Sequence, residues 1–96
     1  MLKIAVHPGE VLREELDELG VTPTELARQI KVPANRLSQI IAGKRGITAD
    51  TALRLGHWFG TDPQFWMNLQ AQFDLADADR IAGKTIGSLP TAENAA

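Results

Sequence analysis

Apolar residues recur along the chain at intervals of three and four, interrupted by proline and glycine, and no stretch alternates apolar with polar residues as a half-buried strand would. The pattern predicts five helices. The first opens at Pro8-Gly9, carries Leu12, Leu16 and Leu19, and stops at Gly20, where glycine accepts a left-handed cap. Thr22-Pro23-Thr24-Glu25 starts the second with a threonine N-cap, a proline in the first turn and a glutamate placed for a capping box. Leu26, Ala27 and Ile30 form its apolar face, and Lys31-Val32-Pro33 ends it because a residue before proline is pushed out of helical space. The third runs from Pro33 through Leu37, Ile40 and Ile41 to Ala42-Gly43. Thr48 caps a fourth, with Ala52, Leu55, Gly56 and Phe59 along one stripe up to Gly60. Asp62-Pro63 starts the fifth, whose apolar face of Phe65, Trp66, Leu69 and Phe73 fades near Ala76, so its expected span is about 63–77.

The expectation is therefore an all-α, five-helix domain over residues 1–79 with a helix-turn-helix unit at 22–43, followed by a flexible tail at 80–96 of small and polar residues. No repeat recurs along the chain. With 96 residues there is room for one core, which needs no staples at this size. The absence of cysteine excludes a disulfide framework, a thiolate zinc site and a cysteine nucleophile. The opening Met1-Leu2-Lys3-Ile4-Ala5-Val6 is too short an apolar run for a signal peptide or a membrane span, so a cytoplasmic location and no membrane partner are expected.

A net charge of −2 argues mildly against a nucleic-acid partner, but the charges are segregated. Between Gly9 and Glu25 six acids (Glu10, Glu14, Glu15, Asp17, Glu18 and Glu25) face Arg13 alone. Between Arg28 and Arg54 six bases (Arg28, Lys31, Arg36, Lys44, Arg45 and Arg54) face only Asp50, and no acid occurs from Gln29 to Ala49. The middle of the chain is thus a basic patch hidden by acidic flanks.

That basic stretch coincides with two short helices joined by a tight turn, an arrangement that can lay one helix in a DNA major groove. At 100° per residue the third helix turns Asn35 and Gln39 away from its buried stripe, with Arg36 and Ser38 flanking them. Asparagine and glutamine can pair bidentately with adenine, arginine with guanine, and the small Ala34 permits close approach or contact with a thymine methyl. The candidate base-reading residues are Ala34, Asn35, Arg36 and Gln39; the candidate phosphate-binding residues are Arg28, Ser38, Lys44, Arg45 and Thr48. A plain solvated face is the competing reading, although such faces are usually rich in Glu and Lys. Phe65, Trp66, Leu69 and Phe73 are candidates for a dimer interface, the alternative being that they close the monomer's own core.

Two stretches, Thr22-Pro23-Thr24-Glu25-Leu26-Ala27 and Val32 through Thr48, resemble the helix-turn-helix of phage-repressor-like (XRE) regulators. His7-Pro8-Gly9-Glu10-Val11-Leu12, Thr48 through Leu55 and Phe59 through Gln70 narrow the resemblance to the HigA antitoxins of bacterial toxin–antitoxin systems. The resemblance implies a lambda-repressor-like fold and a homodimer that represses its own operon by binding operator DNA. It also implies neutralisation of a HigB-type, RelE-like ribonuclease toxin. Two other readings stay open: a stand-alone regulator with no toxin, and a protein-binding toxin inhibitor with little DNA affinity. Helix 1's acidic face, with Glu14, Glu15, Asp17 and Glu18, could attract a basic toxin, against the plainer reading of a solvated surface.

Catalysis finds no footing. His7 and His57 lie far apart without a neighbouring donor at ligand spacing, so neither a metal, another cofactor nor an enzymatic activity is expected.

Overall fold

The computed structural model describes residues 5–94. The elements are α1 (Pro8–Leu19), α2 (Pro23–Ile30), α3 (Ala34–Ile41), α4 (Ala49–Phe59) and α5 (Pro63–Gly87), then a 3-10 turn at Ala92–Asn94. Among the described residues there is no strand, and the all-α, five-helix architecture stands as the sequence predicts.

Local chemistry sets where the helices begin. Thr22 Oγ1 accepts from the Glu25 N–H at 3.1 Å, Thr48 Oγ1 from that of Thr51, and Asp62 Oδ1 from that of Gln64 at 2.9 Å. Each of these satisfies one orphan amide of the first turn and stabilises the helix by about 1 kcal/mol. His7 does the same for α1, its Nδ1 accepting from the Gly9 N–H at 2.9 Å, while its ring stands edge-on to Phe73. The capping box expected at α2 forms only half. Glu25's carboxylate turns forward to Arg28 and Gln29 instead of back to Thr22, because a guanidinium one turn ahead offers it a charge-assisted pair.

The core draws one or two large side chains from every helix: Leu12 and Leu16, Leu26 and Ile30, Leu37 and Ile40, Leu55, and Trp66, with Ile47 supplied by the α3–α4 loop. Burying each such side chain contributes roughly 1.5–3 kcal/mol. Leu19, expected in the stripe of α1, is instead exposed, because that helix leaves the core in its last turn. A close contact fixes α1 on α3: a Cβ on Gly9 would stand 1.9 Å from the Ile40 carbonyl oxygen, so only glycine lets the two backbones pass. The inner face of α3 is thereby held by α1 and α2, and its outer face is left to solvent.

The structure corrects two expectations on α5. Trp66, a candidate for the dimer interface, is 1% exposed and belongs to the monomer core, packed against Phe59 and Phe65. Leu69 and Phe73 are half-buried against their own chain, Phe73 on His7, and of the four candidates only Phe65 is exposed. The helix also ends at Gly87 rather than near 77, so residues 80–87 are helical and not part of a tail. The apolar periodicity does fade where expected, but Ala76, Ala78 and Ala82 favour helix, Arg80 bonds Asp77 one turn back at 2.9 Å, and no proline intervenes before Pro90. Residues 95 and 96, also assigned to the tail, lie outside the described residues.

About 37 Å long at 1.5 Å per residue, the 25-residue α5 outruns the body it packs on. The molecule measures 56 × 21 × 21 Å with a radius of gyration of 16.7 Å. A compact chain of this length would have about 12–13 Å.

Candidate nucleic-acid interface

With Leu37 and Ile40 buried, the opposite face of α3 presents Ala34, Asn35 and Ser38 as exposed residues, Gln39 half-exposed, and Ala42 just beyond the helix end. The Asn35 and Gln39 amides stand one turn apart with alanine at either end. The surface is therefore polar, uncharged and low enough for the helix to approach base edges. Ser38 Oγ donates to the Asn35 carbonyl at 3.1 Å, so this hydroxyl keeps only acceptor capacity towards an outside donor. That makes Ser38 a poor partner for a phosphate oxygen unless the bond breaks.

The cations around this face are not equally free. Lys44 and Arg45 are exposed on the α3–α4 loop, and among the described residues neither is in an ion pair. Arg28 is bonded to Glu25 through both Nε and Nη2. That pairing, joined by the Gln29 amide, holds the Glu25 carboxyl below its ordinary range and raises the Arg28 guanidinium further. Phosphate contact by Arg28 would fall to the donors that Glu25 leaves unused, or would exchange that carboxylate for another anion. Arg36 points sideways rather than outwards: its Nη1 lies 3.7 Å from Asp50 Oδ2, on the first turn of α4. Asp50 also accepts from Arg54 Nε at 2.9 Å, so the lone acid of the basic segment is shared by two guanidinium groups.

Between α3 and α4 lies a depression of about 270 Å³ lined by Arg36, Arg45, Gly46, Thr48, Asp50 and Thr51. It combines two guanidinium groups with the N-terminus of α4, where Thr48 caps, which suits an anionic oxygen; Asp50 on its wall opposes one. Thus the expected phosphate group divides. Lys44, Arg45 and Thr48 sit together at one end of α3, whereas Arg28 lies on α2 with its charge already answered.

Three residues outside the expected site organise this surface. Arg54 Nη1 donates to the Ile30 carbonyl at 2.8 Å and so caps the end of α2 from α4, and Trp58 Nε1 donates to Gln29 Oε1 at 2.7 Å beside it. Gln70 of α5 reaches the loop that carries Lys44 and Arg45. Nothing in periodicity announces such long-range bonds; the only sequence signal was a glutamine falling on the apolar side of the fifth helix.

These features define a class. The helix-turn-helix family model matches residues 12–66, and the fold is that of an XRE-type helix-turn-helix protein. Among solved structures, an addiction module antidote protein of the HigA family from Coxiella burnetii superposes with a TM-score of 0.90 at 46% identity, covering 93% of this chain and 98% of that one. The antitoxin HigA of Pseudomonas aeruginosa, solved with the higBA promoter, gives 0.87 at 46% identity over 91% and 97% of the two chains. Virulence-associated protein I of Dichelobacter nodosus is 48% identical over 77 residues, 79% of this chain and 71% of that protein. The chain belongs to the HigA antitoxin family of helix-turn-helix proteins, a family of DNA-binding regulators and not of enzymes. Among the described residues no helix is long and apolar enough to cross a membrane.

Proposed function

We propose that this chain is an antitoxin that binds operator DNA as a homodimer, represses its own transcription in the cytoplasm and neutralises a HigB-type, RelE-like mRNA-cleaving toxin. The observation that carries the DNA part is the outer face of α3: an uncharged Asn35–Gln39 strip between small residues, bordered by the exposed Lys44 and Arg45. The Pseudomonas relative solved with its promoter, at nearly half the residues identical, supports the same use here. In this reading Asn35 and Gln39 read bases, Ala34 gives close approach, and Lys44, Arg45 and Thr48 hold phosphates. Arg36 reads a base only by leaving Asp50.

Eight residues of α3 span about 12 Å, enough for a few base pairs. Two copies on half-sites one turn apart multiply the affinity of each. Because Trp66 and Phe73 face their own body, the seam in this reading combines Phe65 with the free half of α5, whose outward side carries Leu75 and Ile86.

Mobility-shift titration on the DNA upstream of its own gene, at two salt concentrations, tests the reading, since a binder of phosphates loses affinity steeply as salt rises. Gln39→Ala is expected to cost about 1–3 kcal/mol at one operator position, and Lys44→Ala to weaken all duplexes alike. Affinity that ignores salt would leave a protein-binding inhibitor. Co-purification with a small basic protein encoded next to this one tests the toxin pairing, and its absence would leave a stand-alone regulator.

A further inference from the structure

The loop between α3 and α4 carries Lys44 and Arg45 but has no regular structure of its own, so its backbone must be held by something else. At its start the Lys44 N–H donates to the Gln39 carbonyl at 2.9 Å, tying it to the end of α3. Its far end is tied to a different helix. The N–H of Ile47, whose side chain is buried in the core, donates to Gln70 Oε1 at 2.7 Å, and Gln70 Nε2 donates in turn to Asp74 Oδ1 at 2.9 Å, one turn along α5. Gln70 is 8% exposed, and a Cβ on Gly46 would stand 3.0 Å from its amide, so loop and side chain are in close contact. Both hydrogen-bonding ends of this one amide are used, each in the only polarity it allows.

We propose that Gln70 is a positioning residue for phosphate contact: from α5 it clamps the Ile47 amide, fixing the loop that presents Lys44 and Arg45 and the N-cap Thr48, with Asp74 orienting the clamp. The proposal rests on the DNA-binding reading above. An unclamped loop keeps its charges but samples many positions, so each phosphate contact has to order it first.

Asp74 gives a test in which plain electrostatics and the clamp predict opposite signs. Asp74→Asn removes a negative charge and keeps an acceptor for Gln70, so affinity for DNA stays level or rises. Asp74→Ala removes the same charge and the acceptor, and is expected to bind operator and shuffled duplexes about threefold more weakly than Asp74→Asn. Gln70→Met, similar in volume but with no donor and only a weak thioether acceptor, is expected to weaken binding to both duplexes by about tenfold, lower the salt slope and speed exchange of the Ile47 amide. The double change Gln70→Glu with Asp74→Asn reverses the polarity of the second bond and keeps both, and is expected to restore slow exchange and most of the affinity. Equal binding by Asp74→Ala and Asp74→Asn, with rescue absent in the double variant, overturns the proposal even if Gln70→Met does not fold. Were the unaltered protein to show no salt-dependent DNA binding, the DNA reading would fall and the phosphate role with it. Ile47 exchange would still decide whether Gln70 holds the loop.

Discussion

The two halves of α5 are one continuous helix in two different environments. In its first three turns Trp66, Leu69, Gln70 and Phe73 face the body, one in the core, one clamping a loop and two packed half-buried against their own chain. Beyond Asp74 the helix has no body to rest on, and Leu75 and Ile86 are 61% and 56% exposed. At 100° per residue these two lie with Ala71, Ala78 and Ala82 on the side opposite Trp66. A helix of this kind teaches that helical order and burial are separate matters. Alanine-rich composition and an i,i+3 ion pair extend the near half's order outwards, although isolated helices this short are marginal in water.

The comparison can be broken most directly at Trp66. Truncating it to alanine is expected to cost about 3–5 kcal/mol in a urea or thermal unfolding experiment, since it empties a fully buried site. A loss below about 1 kcal/mol would mean that the near half is not a core element. The far half is expected to behave in the opposite way. Replacing Leu75 and Ile86 together by aspartate should leave unfolding of the body within about 0.5 kcal/mol when both proteins are compared as monomers at high dilution. In this reading the same pair of changes converts dimer to monomer by sedimentation and lowers operator affinity by about tenfold, or about 1.4 kcal/mol. Retained dimer and retained affinity would place the seam elsewhere.

Between these extremes, Asp62→Ala removes the cap at the near end and should cost about 1 kcal/mol, read as a lower denaturation midpoint. The smallest effect is a pH dependence outside α5. Glu25's carboxyl is lowered on folding by Arg28, then by Gln29, so the folded form binds its proton more weakly than the unfolded chain. Its contribution is present above the ordinary glutamate pKa and lost as pH falls through the lowered one. Because the pair lies at the surface and is screened by solvent, substituting Glu25→Gln should flatten the acid limb of the stability profile only slightly.

Much of the candidate site was legible beforehand, because it rests on short-range geometry. Once Leu37 and Ile40 were recognised as a buried stripe, 100° per residue already turned Asn35 and Gln39 outwards. The resting position of Arg36 was not legible, for a spatial reason. Its angle on α3 places it at the edge of the outer face, and whether it leans out or sideways depended on Asp50, fourteen residues on and across a loop. The exposed end of Leu19 and the core position of Trp66 have the same origin, since a helix's apolar stripe shows which residues can be buried and not how far the neighbouring helix extends over them.

By itself, the sequence determined where helices begin and that the middle of the chain is basic. Thr22, Thr48 and Asp62 cap amides two or three residues away, and such bonds form wherever the local backbone does. Tertiary structure alone decided which charges are paired and what holds the loop that carries Lys44 and Arg45. The bonds from Ile47 to Gln70, Arg54 to Ile30 and Trp58 to Gln29 span 23, 24 and 29 residues. Each demands that two groups meet within about 3 Å, a separation set by how five helices pack and encoded in no single stretch of the chain.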